Sequence, residues 1–202
     1  PHLQLAETLG LLVSQLSGGQ IQKLEVRLQG EFAQHPSQPL VIATLKGLLT
    51  IALGDKINYV NASLEAKGRG IDVVEIKDEV NPEFSGGSLQ LNSFSDNGGH
   101  SVSGTVFGDG DLGITSIDEY PINFVPSRHM LFTRHRDMPG IIGQIGSMLG
   151  KHNVNIASMQ VGRRIVRGEA VMVLSIDDPI PSELLGSILS IQGINEAHSV
   201  TL

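Results

Sequence analysis

The stretch from His129 to Val161, HMLFTRHRDMPGIIGQIGSMLGKHNVNIASMQV, decides the fold. Met130 to Thr133 has the composition of a strand. Behind it Pro139 opens a helix in which Ile141, Ile142, Ile145, Met148 and Leu149 form one apolar stripe. Working outward, Val154 to Val166 reads as a long strand, Arg167-Gly168 as a turn, and the unbroken run Ala170 to Ile176 as a buried central strand. Leu184, Leu185, Ile188 and Leu189 make a second helix after Pro181, and Ile194 to Leu202 a last strand. The order βαββαβ predicts a ferredoxin-like sandwich, two helices on one face of a four-stranded sheet.

Upstream, Leu5, Leu9, Leu12, Val13 and Leu16 recur at helical spacing and stop at Gly18-Gly19. Ile21, Leu24, Val26, Leu28 and Phe32 alternate in part, as far as the turn-prone His35-Pro36-Ser37, and Leu40 to Leu53 resumes a helical pattern. From Ser85 to Val125 strands dominate: Leu89 and Leu91, then Val102, Val106 and Phe107, then Ile114 and Ile117, with glycine and aspartate turns between. The fold class expected is α+β, a mixed α/β first domain followed by the βαββαβ domain. Charge shifts at the same place: residues 1–128 hold eight Lys plus Arg against fifteen Asp plus Glu, residues 129–202 six against six. With Pro121, Pro126 and Ser127 nearby, the domains are expected at 1–127 and 128–202.

Composition closes several branches of chemistry. The 202 residues include no cysteine, which removes disulfides, zinc ribbons, iron-sulfur clusters and thiol nucleophiles and suits a reducing, cytoplasmic setting. A net charge of −7 disfavours nucleic acid as a partner. Continuous apolar runs such as Leu48 to Leu53 fall short of the ~18 to 20 residues that span a bilayer, so no membrane partner is expected. The chain opens Pro-His-Leu, without a signal peptide or an initiator methionine, and reads as a piece of something longer.

Gly108-Asp109-Gly110-Asp111-Leu112-Gly113 has the spacing of a dinucleotide-binding loop, but Ile114 to Ile117 reads as strand where that loop needs a helix. A hairpin turn is expected instead. The seven histidines include no metal-binding helix spacing, and His129 and His135 share a strand, so no metal site is expected. Gly99 to Gly104 is not a nucleophile elbow, since it lies between strands.

Gly140, Gly143, Gly146 and Gly150 fall in or beside the helix after Pro139, where glycine costs ~1 kcal/mol relative to alanine. Close packing on the sheet would explain part of this. A bare helix N-terminus, whose free N–H groups attract a carboxylate, would explain the rest. His135 and Asp137 just before the helix and Asn155 at the start of the next strand complete a set suited to a zwitterion. An ammonium would take Asp137, a carboxylate the N–H donors, and a hydroxyl His135 or Asn155. Asp137 also reads as a helix N-cap, and the two roles are compatible.

His135 to Gly140, followed by Asn153-Val154-Asn155-Ile156, resembles the ACT regulatory domain that closes long, three-domain D-3-phosphoglycerate dehydrogenases. Leu3 to Gly10, Tyr59 to Ala62 and Val102 to Gly108 resemble the intervening domain of that family, also called the allosteric substrate-binding domain. The regulatory subunit of some bacterial serine dehydratases shares a related pair. The resemblance implies a parent enzyme oxidising 3-phosphoglycerate with NAD at the first step of serine synthesis. It implies no catalytic residue and no cofactor in this piece, whose nucleotide-binding and substrate domains would lie elsewhere. It also implies ACT domains that pair, as a dimer or in a tetrameric parent, and hold L-serine at the interface for feedback control. The serine-contacting positions fall on His135, Asp137, Pro139 and Gly140, with Asn155 supplied by the partner subunit.

Two positions depart from the family. Position 138, often basic, is Met here, and the intervening domain lacks the basic residues with which some members bind a phosphate-bearing ligand. Arg128, Arg134 and Arg136 offer charge, but read first as solvated strand and linker residues. Two other readings stand beside feedback control: a module for another small amino acid or for oligomerisation alone, and a chain that is itself an enzyme.

Overall fold

The computed structural model describes residues 1–34, 36–78, 87–96 and 98–202, so His35 and Ser85, on which an expected turn and the start of the strand-rich region fall, lie outside it. The chain divides into two compact units, Pro1–Glu119 and Tyr120–Leu202.

The first unit opens with α1 (His2–Leu16), whose Leu5, Leu9, Leu12, Val13 and Leu16 are all buried. The Ser17 hydroxyl closes the helix by donating to the Val13 carbonyl at 2.8 Å, one turn back. β1 (Ile21–Gln29) buries Leu24, Val26 and Leu28 on one face. It ends before Phe32, which the alternating pattern had included, because Gly30 takes φ +57° and turns the chain into the short α2 (Glu31–Gln34). α3 (Ser37–Leu53) lies against α1, and the two backbones touch: a Cβ on Gly10 would stand 2.1 Å from the Thr44 carbonyl oxygen, and one on Gly47 2.0 Å from that of Glu7. Only glycine permits this approach.

With its following turn, α3 forms a 20-residue helix, Ser37–Lys56, long and apolar enough to cross a membrane by length and composition. Reading only continuous apolar runs misses it, because Thr44, Lys46 and Thr50 interrupt them. Its Leu40, Ala43, Leu45, Leu48 and Leu49 are buried inside the unit.

α4 (Ala62–Gly68) and β2 (Asp72–Asp78) follow, then β3 (Ser88–Ser95), β4 (Ser101–Val106) and β5 (Leu112–Ile117). These strands lie in the order β2-β1-β3-β4-β5, antiparallel except for the β1–β2 pair. Gly108 to Gly113 spans the β4–β5 hairpin, with Gly110 at φ +91° and the Phe107 N–H donating to the Asp111 carbonyl, so no helix follows to receive a phosphate.

The second unit opens with β6 (Tyr120–Phe124), followed by β7 (His129–Arg136), α5 (Ile141–Lys151), β8 (Ile156–Arg163), β9 (Glu169–Ile176), α6 (Ser182–Leu189) and β10 (Ile194–Thr201). From β7 onward the order is βαββαβ, in an antiparallel sheet β10-β7-β9-β8. Leu131, Met172 and Leu174 from the sheet pack with Ile141, Ile145 and Leu149 of α5 and Leu184 and Ile188 of α6 in one core. α5 begins at Ile141, two residues after Pro139, because Gly140 at its N-cap has φ +94°. β8 is shorter than the Val154 to Val166 pattern. Asn153 at φ +56° carries the chain out of α5 at one end, and a turn with Arg167 at φ +63° leaves the strand at the other.

Candidate functional site

Asp137 leaves the end of β7 facing the β8–β9 hairpin. Its carboxylate accepts from Arg163 Nη1 at 2.8 Å and from the Arg167 backbone N–H at 3.2 Å, both on Oδ2. Its own N–H donates to the Gly168 carbonyl at 2.7 Å. The Arg163 hydrogen bond, helped by the Arg167 N–H, holds the Asp137 carboxyl below the ordinary carboxylate range. Asp137 makes no cap bond to α5, so its cap role gives way to the hairpin. Arg163 and Arg167 are the residues that sequence reading missed, since only strand pairing brings positions 26 and 30 residues away onto one carboxylate.

Two residues back, His135 is 2% exposed and has Nδ1 3.4 Å from Thr133 Oγ1. Burial pushes the imidazole below its ordinary 6.5, against the pull of Asp137, so the ring is neutral at pH 7. It can then both donate and accept a hydrogen bond. Beyond Pro139, the first turn of α5 bonds Gln144 N–H to the Gly140 carbonyl at 2.9 Å and Ile141 N–H to Met138 at 3.5 Å. The N–H groups of Ile142 and Gly143 make no such backbone bond and no side chain caps the helix, leaving donors at its positive end. Gly143, Gly146 and Gly150 face open space, with no atom within 4 Å of an added Cβ. Close packing of α5 on its own sheet therefore does not account for these glycines.

Asn155 stands apart from this group. It immediately precedes β8 and donates from Nδ2 to Asp177 Oδ2 at 2.8 Å, where Ile156 pairs with Ile176. Asp137 lies at the other end of the sheet, beside the pairing of Arg136 with Glu169. The eight residues of β8 at ~3.3 Å each put about 25 Å between the two ends. The structure thus brings His135, Asp137, Pro139 and Gly140 together in one chain and leaves Asn155 remote. β8 is an outer strand of this sheet, with Met159 and Val161 exposed on it opposite the core residues Leu174 and Met172.

A βαββαβ unit with β8 as an outer strand and a polar loop at a bare helix N-terminus, joined to a second α+β unit, defines a regulatory module of the ACT class. The model for the ACT domain matches residues 129–193, and that for the D-3-phosphoglycerate dehydrogenase intervening domain matches residues 1–118. The chain belongs to the D-3-phosphoglycerate dehydrogenase family, as its C-terminal regulatory region. The D-3-phosphoglycerate dehydrogenase of Synechocystis sp. is 57% identical over 203 residues, covering 100% of this chain and 36% of the relative. Those of Methanocaldococcus jannaschii and Bacillus subtilis are 36% and 31% identical, each over 100% of this chain and 38% of the relative. The chain therefore spans little more than a third of these relatives.

Proposed function

We propose that this chain is the regulatory region of an NAD-dependent D-3-phosphoglycerate dehydrogenase of serine biosynthesis, working in the cytoplasm, and that it binds L-serine between two paired ACT units for feedback control. The observation that carries the reading is the Asp137 carboxylate four residues before α5, whose Ile142 and Gly143 N–H groups make no backbone bond and which no side chain caps. An ammonium goes to Asp137, the α-carboxylate to the Ile142 and Gly143 N–H groups behind Pro139 and Gly140, and the hydroxyl to neutral His135. The domains follow as 1–127 and 128–202, the second beginning one residue before the ACT match.

Pairing of two copies supplies the missing Asn155. When β8 edges of two chains pair antiparallel, the Asn155 end of one strand meets the Arg163 end of the other, and Arg163 is where Asp137 sits. The open face at Gly143 and Gly146 leaves room for the second copy.

One observation favours the rival, an oligomerisation module or a sensor of another small amino acid: Arg163 of the same chain pairs with Asp137 at 2.8 Å. Titration with L-serine, D-serine, glycine, L-alanine and L-threonine separates the two. A hydroxyl-bonding site prefers L-serine over L-alanine and glycine by tenfold or more. Equal affinities, or no binding by an intact dimer, establish the rival.

A further inference from the structure

Beside the same hairpin turn lies a cleft of about 490 Å³, lined by Arg136, Arg167, Glu169, Gln192, Gly193 and Asn195 among others. We propose that this cleft is a second ligand site of the ACT unit and that it takes a small organic dianion, a dicarboxylate or a phosphomonoester carrying hydroxyl or amine groups.

Charge argues for an anion. Arg136 and Arg167 are exposed, and neither guanidinium has an ion-pair partner among the described residues, whereas Arg134 pairs with Glu196 and Arg163 with Asp137. The one carboxylate in the lining, Glu169, is engaged from both sides: Asn195 Nδ2 donates to Oε1 at 3.2 Å and the Tyr120 hydroxyl to Oε2 at 3.5 Å. The two guanidinium groups outnumber the one carboxylate, whose oxygens already accept from Asn195 and Tyr120, so each acidic group of a dianion can take one guanidinium, and planar guanidinium groups suit carboxylate and phosphate oxygens. Gln192 adds an amide for a hydroxyl or amine group. The volume falls within the ~300 to 1,000 Å³ of ordinary small-molecule sites and is far larger than an inorganic ion needs.

The walls are also fixed in place. The Arg136 N–H donates to the Gly193 carbonyl at 2.8 Å, and the next N–H, of Asp137, donates to the Gly168 carbonyl at 2.7 Å. The two turns that carry the lining are thus pinned to successive residues of one strand end, and a preorganised site loses less entropy on binding. Gly193, at φ +96°, is held close: a Cβ there would come within 3.1 Å of Ile141 Cδ1.

The test is a titration of the 202-residue chain with L-malate and with sn-glycerol 3-phosphate at low ionic strength, followed by amide chemical shifts, with L-lactate as the monoanionic control. The expected result is saturable binding of at least one dianion, shifting Gly168 and Gly193, with Kd raised tenfold or more in both Arg136→Ala and Arg167→Ala. Arg164→Ala, which removes a cation of the same hairpin outside the cleft, leaves Kd within about twofold. The tighter of the two probes identifies the anion class. Absence of saturable shifts, equal binding of lactate, or an equal loss in Arg164→Ala overturns the site. None of these readouts depends on serine, so the effector reading stands or falls separately.

Discussion

The two units use glycine inside helices in opposite ways. In the first, Gly10 and Gly47 let α1 and α3 touch backbone to backbone, and any Cβ would enter a carbonyl of the facing helix. In the second, Gly143, Gly146 and Gly150 on α5 meet nothing in their own chain. The first pattern is satisfied by folding alone, whereas the second leaves a smooth helix face and an N-terminus without a side-chain cap. Glycine spacing in a sequence does not distinguish the two, because the distinction lies in what stands opposite.

Substitution breaks this comparison most sharply at Gly47. Gly47→Ala should destabilise the first unit by about 3 kcal/mol or prevent its folding, since the overlap is with backbone and cannot be relieved by a rotamer. Urea unfolding followed by circular dichroism measures the loss. The matching change in the second unit has the opposite sign. Gly146→Ala should stabilise the unit by ~0.5 to 1 kcal/mol in the same measurement, by the helix propensity gained in open space. Under the proposed pairing, the same Gly146→Ala should also weaken self-association, which sedimentation would detect.

Between these in size stands the effector loop. Asp137→Ala should weaken L-serine binding about ten- to a hundredfold, the worth of a charge-assisted hydrogen bond, by calorimetry. Arg163→Ala should instead tighten it severalfold, because the ammonium no longer competes with a resident cation for the same oxygen. If both variants weaken binding alike, Arg163 belongs to the site as a contact rather than as a competitor.

The smallest effect concerns pH. Burial depresses the His135 pKa in the folded state below its ordinary 6.5, so the unfolded chain binds more protons as pH falls through that value. Stability of the second unit should therefore decline from about pH 6.5 downward, with His135→Gln flattening the decline. Asp137 acts in the same direction at lower pH: its depressed pKa adds stability above the ordinary 3.8 that is lost as pH falls through the folded value.

Much of the second unit was legible in sequence because its signals are local. The Ile141, Ile145 and Leu149 stripe and the run from Ala170 to Ile176 each report one buried face, and all of these residues are in the core or nearly sealed from solvent. In the first unit, α4 and β2 escaped reading: α4 has only seven residues, two of them buried alanines, and β2 is an outer strand with no fully buried position. The loop from His135 to Gly140 was visible as a polar set next to a helix start. Its two arginine contacts were not, because a β-hairpin and not the sequence interval sets which residues meet. Asn155 lies far from the loop in its own chain, because α5 runs the length of the sheet and returns the chain to the opposite end.

That separation sets up the most direct test of a serine site shared by two chains. Asp137→Ala and Asn155→Ala variants are purified separately, then mixed and exchanged, and L-serine binding is counted by calorimetry. A site built from two copies predicts that each variant alone binds serine feebly, while a mixed pair regains one site of wild-type affinity, formed by Asp137 of one chain and Asn155 of the other. Unrestored binding in a mixture shown to contain mixed dimers, or wild-type binding by Asn155→Ala alone, would contradict it.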